Sequence, residues 1–275
     1  MEGKVCIVTG SNTGIGRETA RGLAQRGATV VLACRDVGKA EAARDDIAKS
    51  TGRSDVAVMA LDLGDKASIR AFAASFKEKH PRLDVLVNNA GVFARARATT
   101  KDGFESTFGV NHLGTFLLTQ ELLPALRAGA PSRIVTLSSA LHYSGKMVWD
   151  DLMYETRSYS GPGAYNQSKL ANVLHTLALA RRLAGTRVTV NAVHPGVVAT
   201  ELTRDYPKLL LKIANLFMLS PAGGAACSLH VATAPELEGV AGQYFEKSRA
   251  KPPNRAATDE AAQEQLWALS EKLVA

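Results

Sequence analysis

Val5-Cys6-Ile7-Val8-Thr9-Gly10-Ser11-Asn12-Thr13-Gly14-Ile15-Gly16 is the stretch that decides the fold. An apolar, β-branched run leads into a glycine turn, and a helical stretch begins near Arg17. Strand, turn and helix start together make a phosphate site. Residues without Cβ let the backbone approach an anion, and the unpaired N–H groups at the positive helix end face it. The spacing here is Gly-x-x-x-Gly-x-Gly, a departure from the Gly-x-Gly-x-x-Gly dinucleotide fingerprint. A plain tight connection would also explain such a turn, but its place directly after the first strand favours a ligand.

Working outward, apolar runs alternate with helical stretches, the pattern of βαβ units that build a parallel sheet. Strands are expected near Val5–Thr9, Thr29–Ala33, Val56–Leu61, Val85–Val87, Ile134–Leu137, Val188–Val193 and Gln243–Phe245, about seven in all. Continuous apolar content, as in Val30-Val31-Leu32, fits strands covered by helices on both faces. The expectation is an α/β, doubly wound parallel sheet in three layers. Phe104, Phe108, Asn111, Thr115, Leu118 and Leu122 recur at steps of three and four along one helix face, with Asn111 the polar position among them. Leu170, Val173, Leu174 and Leu177 make a second stripe, and Leu266, Leu269 and Leu273 a last short one. No linker divides residues 1–275, so one domain is expected; Pro252-Pro253 marks residues 252–275 as a loosely attached C-terminal appendage.

Composition removes several classes. The 275 residues are 46% hydrophobic, enough for a large core and against disorder. The most apolar stretch, Leu209 to Leu219, is short and interrupted by Lys212 and Asn215, so it cannot span a bilayer, and no secretory signal precedes Val5. The three cysteines, Cys6, Cys34 and Cys227, lack paired spacing and read as buried thiols, which suits a cytoplasmic protein. Net charge is +7, but Lys and Arg are interspersed with acids, so the balance points to an anionic small ligand and not to nucleic acid. His112, His142 and His194 have no partner spacing that defines a metal site. Ser139 near His142 lacks the Gly-x-Ser-x-Gly elbow of a hydrolase.

At the end of the second strand, where a ribose-binding acid is expected, the sequence reads Ala33-Cys34-Arg35-Asp36. Without a carboxylate to repel a 2′-phosphate, and with Arg35 to attract one, NADP(H) is favoured over NAD(H). Asp36 leaves the other choice open, since it could contact a ribose hydroxyl.

Tyr165-Asn166-Gln167-Ser168-Lys169 places Tyr165 and Lys169 four residues apart on one helical face. A phenol with a reference pKa of about 10 is moved toward neutral pH by a neighbouring ammonium and can then shuttle a proton at a carbonyl or hydroxyl oxygen. A Tyr-x-x-x-Lys pair alone is commonly an exposed pair of no consequence. Here it stands with Thr9-Gly10-x-x-x-Gly14-Ile15-Gly16, Asn88-Asn89-Ala90-Gly91, Asn111, Ser138-Ser139 and Pro195-Gly196, in that order. Over roughly residues 3 to 247 the chain thus resembles the short-chain dehydrogenase/reductase family, which has a Rossmann-type fold. Leu32-Ala33-Cys34-Arg35, Val110-Asn111-His112-Leu113-Gly114, Ser168-Lys169-Leu170-Ala171-Asn172 and His194-Pro195-Gly196 are most similar to the retinol-dehydrogenase-like and WW-domain-oxidoreductase-like branch.

The resemblance implies a set of roles. Tyr165 is the proton donor or acceptor, and Lys169 perturbs it and bonds the nicotinamide ribose. Ser139 holds the substrate oxygen, as the second serine of the pair, with Ser138 the other choice. Asn111 helps hold a water chain behind Lys169. The turn Gly10, Ser11, Asn12, Thr13, Gly14, Ile15 and Gly16 carries the pyrophosphate. Asp62 contacts adenine, with Leu63 alongside it, and Asn89, Ala90 and Gly91 line the cofactor. Pro195, Gly196, Val198 and Thr200 follow the family's Pro-Gly-x-Val-x-Thr pattern at the nicotinamide. The implied chemistry is hydride transfer between nicotinamide and a carbonyl or alcohol carbon.

Residues 201–220 match the family's substrate lid, and Leu209, Leu210, Leu211, Ile213, Leu216, Phe217 and Met218 predict a greasy pocket for a lipophilic carbonyl or alcohol. The same apolar surface is also open to core packing or to transient contact with a membrane surface. The long spacing from Ser139 to Tyr165, about twice that common elsewhere in the family, leaves room for a flap in which Met147, Trp149 and Tyr154 could wall the pocket. The family's helices near Phe104–Leu126 and Tyr165–Leu183 often pair across a two-fold axis, so a homodimer or larger homo-oligomer is expected. The competing reading, a non-catalytic NADP-binding sensor or scaffold, predicts a damaged catalytic set, whereas Asn111, Ser139, Tyr165 and Lys169 are all present.

Overall fold

The computed structural model describes residues 1–196 and 219–275. The strands are β1 Val5–Thr9, β2 Thr29–Cys34, β3 Val56–Ala60, β4 Val85–Asn88, β5 Ser132–Leu137, β6 Val188–His194, β7 Tyr244–Glu246 and β8 Arg249–Lys251. They form one sheet in the order β3-β2-β1-β4-β5-β6-β7-β8. All neighbours are parallel except β7 and β8, a short antiparallel pair. The eighth strand is the one that the sequence reading omits: three exposed residues, Arg-Ala-Lys, carry no apolar signal.

Side-chain alternation divides the core between the two faces of the sheet. Ile7, Val31 and Leu86 point into one cluster with Phe72, Phe76, Phe116, Leu170 and Leu174. Cys6, Val8, Val30, Leu32, Val85 and Val87 point into the other with Leu23, Ile47 and Val231. Helices α1 (Gly14–Gln25) and α2 (Val37–Thr51) supply the second cluster, and α3 (Lys66–Lys79) the first. The arrangement is the expected three-layer, doubly wound Rossmann-type sheet. The strand order reverses at β1, which lies between β2 and β4, and ligands bind open sheets of this kind beyond the strand C-termini at that reversal. All three cysteines are buried and unpaired. No helix among the described residues is long and apolar enough to cross a membrane.

The C-terminal segment is not loosely attached. Its helix, Glu260–Val274, places Leu266, Trp267 and Val274 in the first core cluster. The Trp267 ring lies 5.0 Å from that of Phe116, beneath the Arg182 guanidinium at 3.9 Å. Ser270 Oγ is 2.8 Å from His112 Nε2. Pro252-Pro253 reads as a break in the sequence, but the groove that receives the next helix is built by residues more than eighty positions earlier. The helix Gly161–Arg182, on which a two-fold contact is expected, is covered by this terminal helix within one chain, and Gln167 to Thr176 are all buried.

Candidate active site

The glycine turn lies at the sheet's reversal point. Gly10 has φ +62°, and a Cβ there would sit 2.9 Å from the Ala90 Cα, so β1 and β4 exit in direct contact. A Cβ at Gly16 would lie 2.4 Å from Asn89 Nδ2 and 2.5 Å from the Gly10 oxygen. Thr9 closes the crevice floor: its Oγ1 accepts from the N–H groups of Asn89 at 3.0 Å and Ala90 at 2.9 Å. Asn89 Nδ2 in turn donates to the oxygens of Thr9 and Gly10, at 2.8 and 3.2 Å. That side chain holds the turn, leaving its backbone, with Ala90 and Gly91, at the crevice.

Helices starting at Val37, Lys66, Gly161, Pro221 and Glu260 each have a side-chain cap, from Asp36, Asp65, Ser160, Ser220 and Asp259. The N-cap of α1, Thr13, makes none, so the first N–H groups of α1 keep their capacity for an anion at the glycine turn. A dinucleotide pyrophosphate fits this cradle: Gly10 and Gly16 leave no room for a Cβ, and the helix end is uncapped. Ser11 contributes by backbone alone, since its buried hydroxyl donates to the Val8 oxygen at 2.8 Å and lies 3.5 Å from Cys34 Sγ. Cys34 therefore fills the space beneath the turn, and burial pushes its thiol pKa up.

Arg35 and Asp36 follow as exposed residues. The Asp36 carboxylate is engaged: Oδ1 accepts the Lys39 N–H at 3.0 Å and Oδ2 pairs with Lys39 Nζ at 3.0 Å, which together hold its pKa below the usual value. This favours its role as cap of α2 over a ribose contact. Asp62 Oδ1 accepts the Gly64 N–H at 2.8 Å, while the Leu63 side chain is buried in the core. Pro195 and Gly196 follow β6 at the same edge of the sheet; Val198, Thr200 and residues 201–218 of the expected lid lie outside the described residues.

The tyrosine end is built from three elements. Lys169 and Tyr165 share the helix Gly161–Arg182; Ser139 caps a short 3-10 turn, Ala140–Ser144, after β5. Asn111 sits in a π-helical segment, Gly109–Gly114, between the turn Ser106–Phe108 and the helix Thr115–Ala128. The apolar stripe gave no hint of this interruption, a distortion that often marks functional positions. Asn111 Oδ1 accepts from Val92 N–H at 2.7 Å, and Nδ2 donates to the Val92 oxygen and Ser168 Oγ, both at 3.0 Å. Its side chain thus clamps the chain leaving β4 to the tyrosine helix. A Cβ on Gly91 would fall 3.4 Å from Asn111 Oδ1 and 3.5 Å from Lys169 Nζ, which places these groups side by side.

The serine pair divides its work. Ser138 is buried and donates to the Lys169 oxygen at 2.8 Å, whereas Ser139 is partly exposed and interacts with the Tyr165 hydroxyl. The structure brings Ser139, not Ser138, to the tyrosine. Burial pushes the Tyr165 pKa up to about 12, and the hydrogen bond with Ser139 opposes the rise. Burial likewise brings Lys169 down to about 8. These directions correct the expectation that Lys169 pulls the phenol toward neutrality. Lys169 Nζ donates to the Leu137 oxygen at 3.0 Å and lies 5.5 Å from the Tyr165 ring centroid, and in the free protein desolvation dominates for both groups.

The sequence reading also missed two supports. Phe93 packs its ring 5.7 Å from that of Tyr165. Glu105, fully buried, caps Thr107 and Phe108 and accepts from the Tyr159 hydroxyl at 3.0 Å. Of the three residues proposed for a pocket wall, Tyr154 is buried with the Arg157 guanidinium 3.5 Å over its ring, and Met147 and Trp149 pack against the core.

A consequence for stability follows from Lys169. Its folded pKa lies below the ordinary lysine value, so between about pH 8 and 10.5 the unfolded chain binds the extra proton and stability rises with pH. Below pH 8 the buried ammonium is a full burden. Lys169→Met should therefore raise the Tm at pH 7 by about 2–4 °C, the effect of 1 kcal/mol on a domain of this size, with the gain shrinking as pH rises toward 10. Thermal unfolding against pH measures it, and a lower Tm at pH 7 would contradict it.

The fold and this constellation define a class of nicotinamide-dinucleotide oxidoreductase, and the comparisons agree. The chain belongs to the short-chain dehydrogenase family, whose model matches residues 4–209. Within it the chain falls in the retinol-dehydrogenase-like branch: it is 50% identical to human retinol dehydrogenase 13 over 282 residues, covering all of this chain and 85% of that protein. A crystal structure of an uncharacterised protein from Mycobacterium paratuberculosis superposes with a TM-score of 0.80 at 39% identity, covering 99% of this chain and 94% of that one. The Pseudomonas aeruginosa RhlG/NADP active-site complex gives 0.74 at 26% identity, covering 90% and 95%.

Proposed function

We propose that this protein is an NADP(H)-dependent oxidoreductase that interconverts a lipophilic carbonyl and its alcohol, with retinoids as the first substrate class to try. The observation that carries this reading is the meeting of Ser139, Tyr165, Lys169 and Asn111 beside the uncapped, glycine-lined crevice. When bound, the dinucleotide supplies or takes the hydride at the substrate carbon. Tyr165 gives its phenolic proton to the carbonyl oxygen in reduction and removes it from the alcohol in oxidation. Ser139 donates a hydrogen bond to the same oxygen, where charge develops. Lys169 lies beside Tyr165, with Asn111 next to it at Gly91, and Lys169 would bond the nicotinamide ribose. The turn from Gly10 to Gly16, Asp62, Leu63 and the residues from Asn89 to Gly91 would hold the rest of the dinucleotide, with Pro195 and Gly196, and by family pattern Val198 and Thr200, at the nicotinamide. The retinol dehydrogenase relatives and the apolar residues of the 201–220 segment support the substrate class.

Arg35 supports the choice of NADP(H), because Asp36 beside it is held in the cap of α2. Arg35→Ser should weaken NADPH binding about tenfold, ~1.4 kcal/mol, and leave NADH binding unchanged. Fluorescence titration with both dinucleotides reads the ratio, and equal losses for the two would reject the assignment. The function itself is tested by NADPH oxidation over retinal, aliphatic, aromatic and steroid carbonyls, beside NADH. Turnover of polar sugars alone would overturn it.

A further inference from the structure

The turn that carries Ser139 is tied from behind to residues of the C-terminal segment. His142, fully buried, places Nδ1 2.7 Å from the Ser139 carbonyl oxygen, while Nε2 lies 3.0 Å from the Asn254 backbone nitrogen. A carbonyl only accepts and a backbone N–H only donates, so the ring is the neutral tautomer with its proton on Nδ1. Burial holds this imidazole below its ordinary pKa; Glu246 and the bond to Ser139 act in the other direction. His194, Tyr143 and Tyr244 are the other titratable groups around it. Asn254 completes the tie, its Nδ2 donating to the oxygens of His142 and Tyr143, both at 3.0 Å. The Tyr143 hydroxyl donates to the Pro252 oxygen at 2.6 Å.

We propose that His142, fixed in its Nδ1–H tautomer by Asn254, is a positioning residue that holds the serine turn so that the Ser139 hydroxyl stays at Tyr165. The inference rests on the roles given above to Ser139 and Tyr165. Both ring nitrogens are engaged within the protein, so His142 acts through the turn and not on substrate. Ser139 Oγ also caps its own turn, accepting the Leu141 N–H at 3.2 Å, which makes the hydroxyl's place depend on the turn's geometry. A displacement of about 1 Å near reacting atoms can lower a rate on the order of 100-fold. The C-terminal segment is on this view part of the active-site scaffold.

The test uses the full chain with NADPH and retinal, and retinol with NADP for the reverse direction. His142→Phe keeps a ring between Tyr143 and Tyr244 but loses both hydrogen bonds; it should lower kcat about tenfold or more with the NADPH Kd unchanged. Added to Ser139→Ala it should cost nothing further, because both changes act on one hydroxyl. The pH profile for retinol oxidation should also move upward, since the Ser139 hydrogen bond lowers the Tyr165 pKa. Asn254→Pro, at a φ of −51° that proline accepts, removes the N–H bonded to Nε2 together with the two Nδ2 bonds, leaves the ring in place and should show the same signature; it decides the matter if His142→Phe does not fold. Parent kcat in both variants, or losses that multiply fully with Ser139→Ala, would overturn the proposal. Tyr165→Phe is assayed in parallel: if it retains turnover, the reading of the reaction fails, whereas an inactive Tyr165→Phe beside unaffected His142 and Asn254 variants rejects the positioning role alone.

Discussion

Tyr165→Phe is expected to lower kcat for retinal reduction by about 10²–10⁴-fold, the range supplied by a positioned general acid, while NADPH still binds. The change removes one oxygen and keeps the ring, so the packing on Phe93 at 5.7 Å persists and loss of fold does not explain loss of rate. The phenol's raised pKa, about 12, gives the reaction a direction-dependent pH profile. Carbonyl reduction needs the protonated phenol, which is the dominant form throughout the neutral range, so its rate should be flat there. Alcohol oxidation needs the phenolate and should rise with pH. Steady-state kinetics in both directions, with fluorescence titration of NADPH, give both readouts. Full turnover by Tyr165→Phe would remove the mechanism. It would also revive the reading of the protein as an NADP-binding scaffold, to which the phenolic oxygen is irrelevant.

The parts of this site that were legible in the sequence are those fixed by local rules. The glycine turn can be read because positive φ and close backbone approach exclude most side chains at Gly10, and the tyrosine–lysine pair because helical geometry sets its spacing. The strands came from apolar runs that need no long-range information. What stayed hidden depends on contacts between distant segments. The sign of the Tyr165 shift is decided by how deeply the folded chain buries the phenol, which a four-residue spacing does not encode. The family pattern names Ser139 over Ser138, but the physical cause is not local: strand pleating and the Lys169 carbonyl above it turn Ser138 inward. The π segment at Asn111 follows the same apolar periodicity as an ordinary helix. Trp267, like Asn254, gains its role from a surface assembled by other elements.

Gly16→Val should weaken NADPH binding at least about 100-fold, ~2.7 kcal/mol, because the space that a Cβ needs at this position holds the latch of the crevice. That Cβ would stand 2.4 Å from Asn89 Nδ2 and 2.5 Å from the Gly10 oxygen. The second of these is backbone and has little freedom to retreat. The first donates to the oxygens of Thr9 and Gly10 and joins the ends of β1 and β4. Either the amide leaves, and the turn opens, or the start of α1 shifts away from the anion it faces. Overpacking of this kind also destabilises the fold by about 1–3 kcal/mol, so binding and stability must be separated. Gly52→Ala provides the comparison: Gly52 ends α2 with φ +70° and has nothing within 4 Å of a new Cβ, so it strains the backbone without touching the crevice. That variant should lose stability and keep its NADPH affinity. Fluorescence titration and thermal unfolding of both variants distinguish the effects. A Gly16→Val protein that binds NADPH as the parent does would show that the dinucleotide is held elsewhere than at the N-terminus of α1.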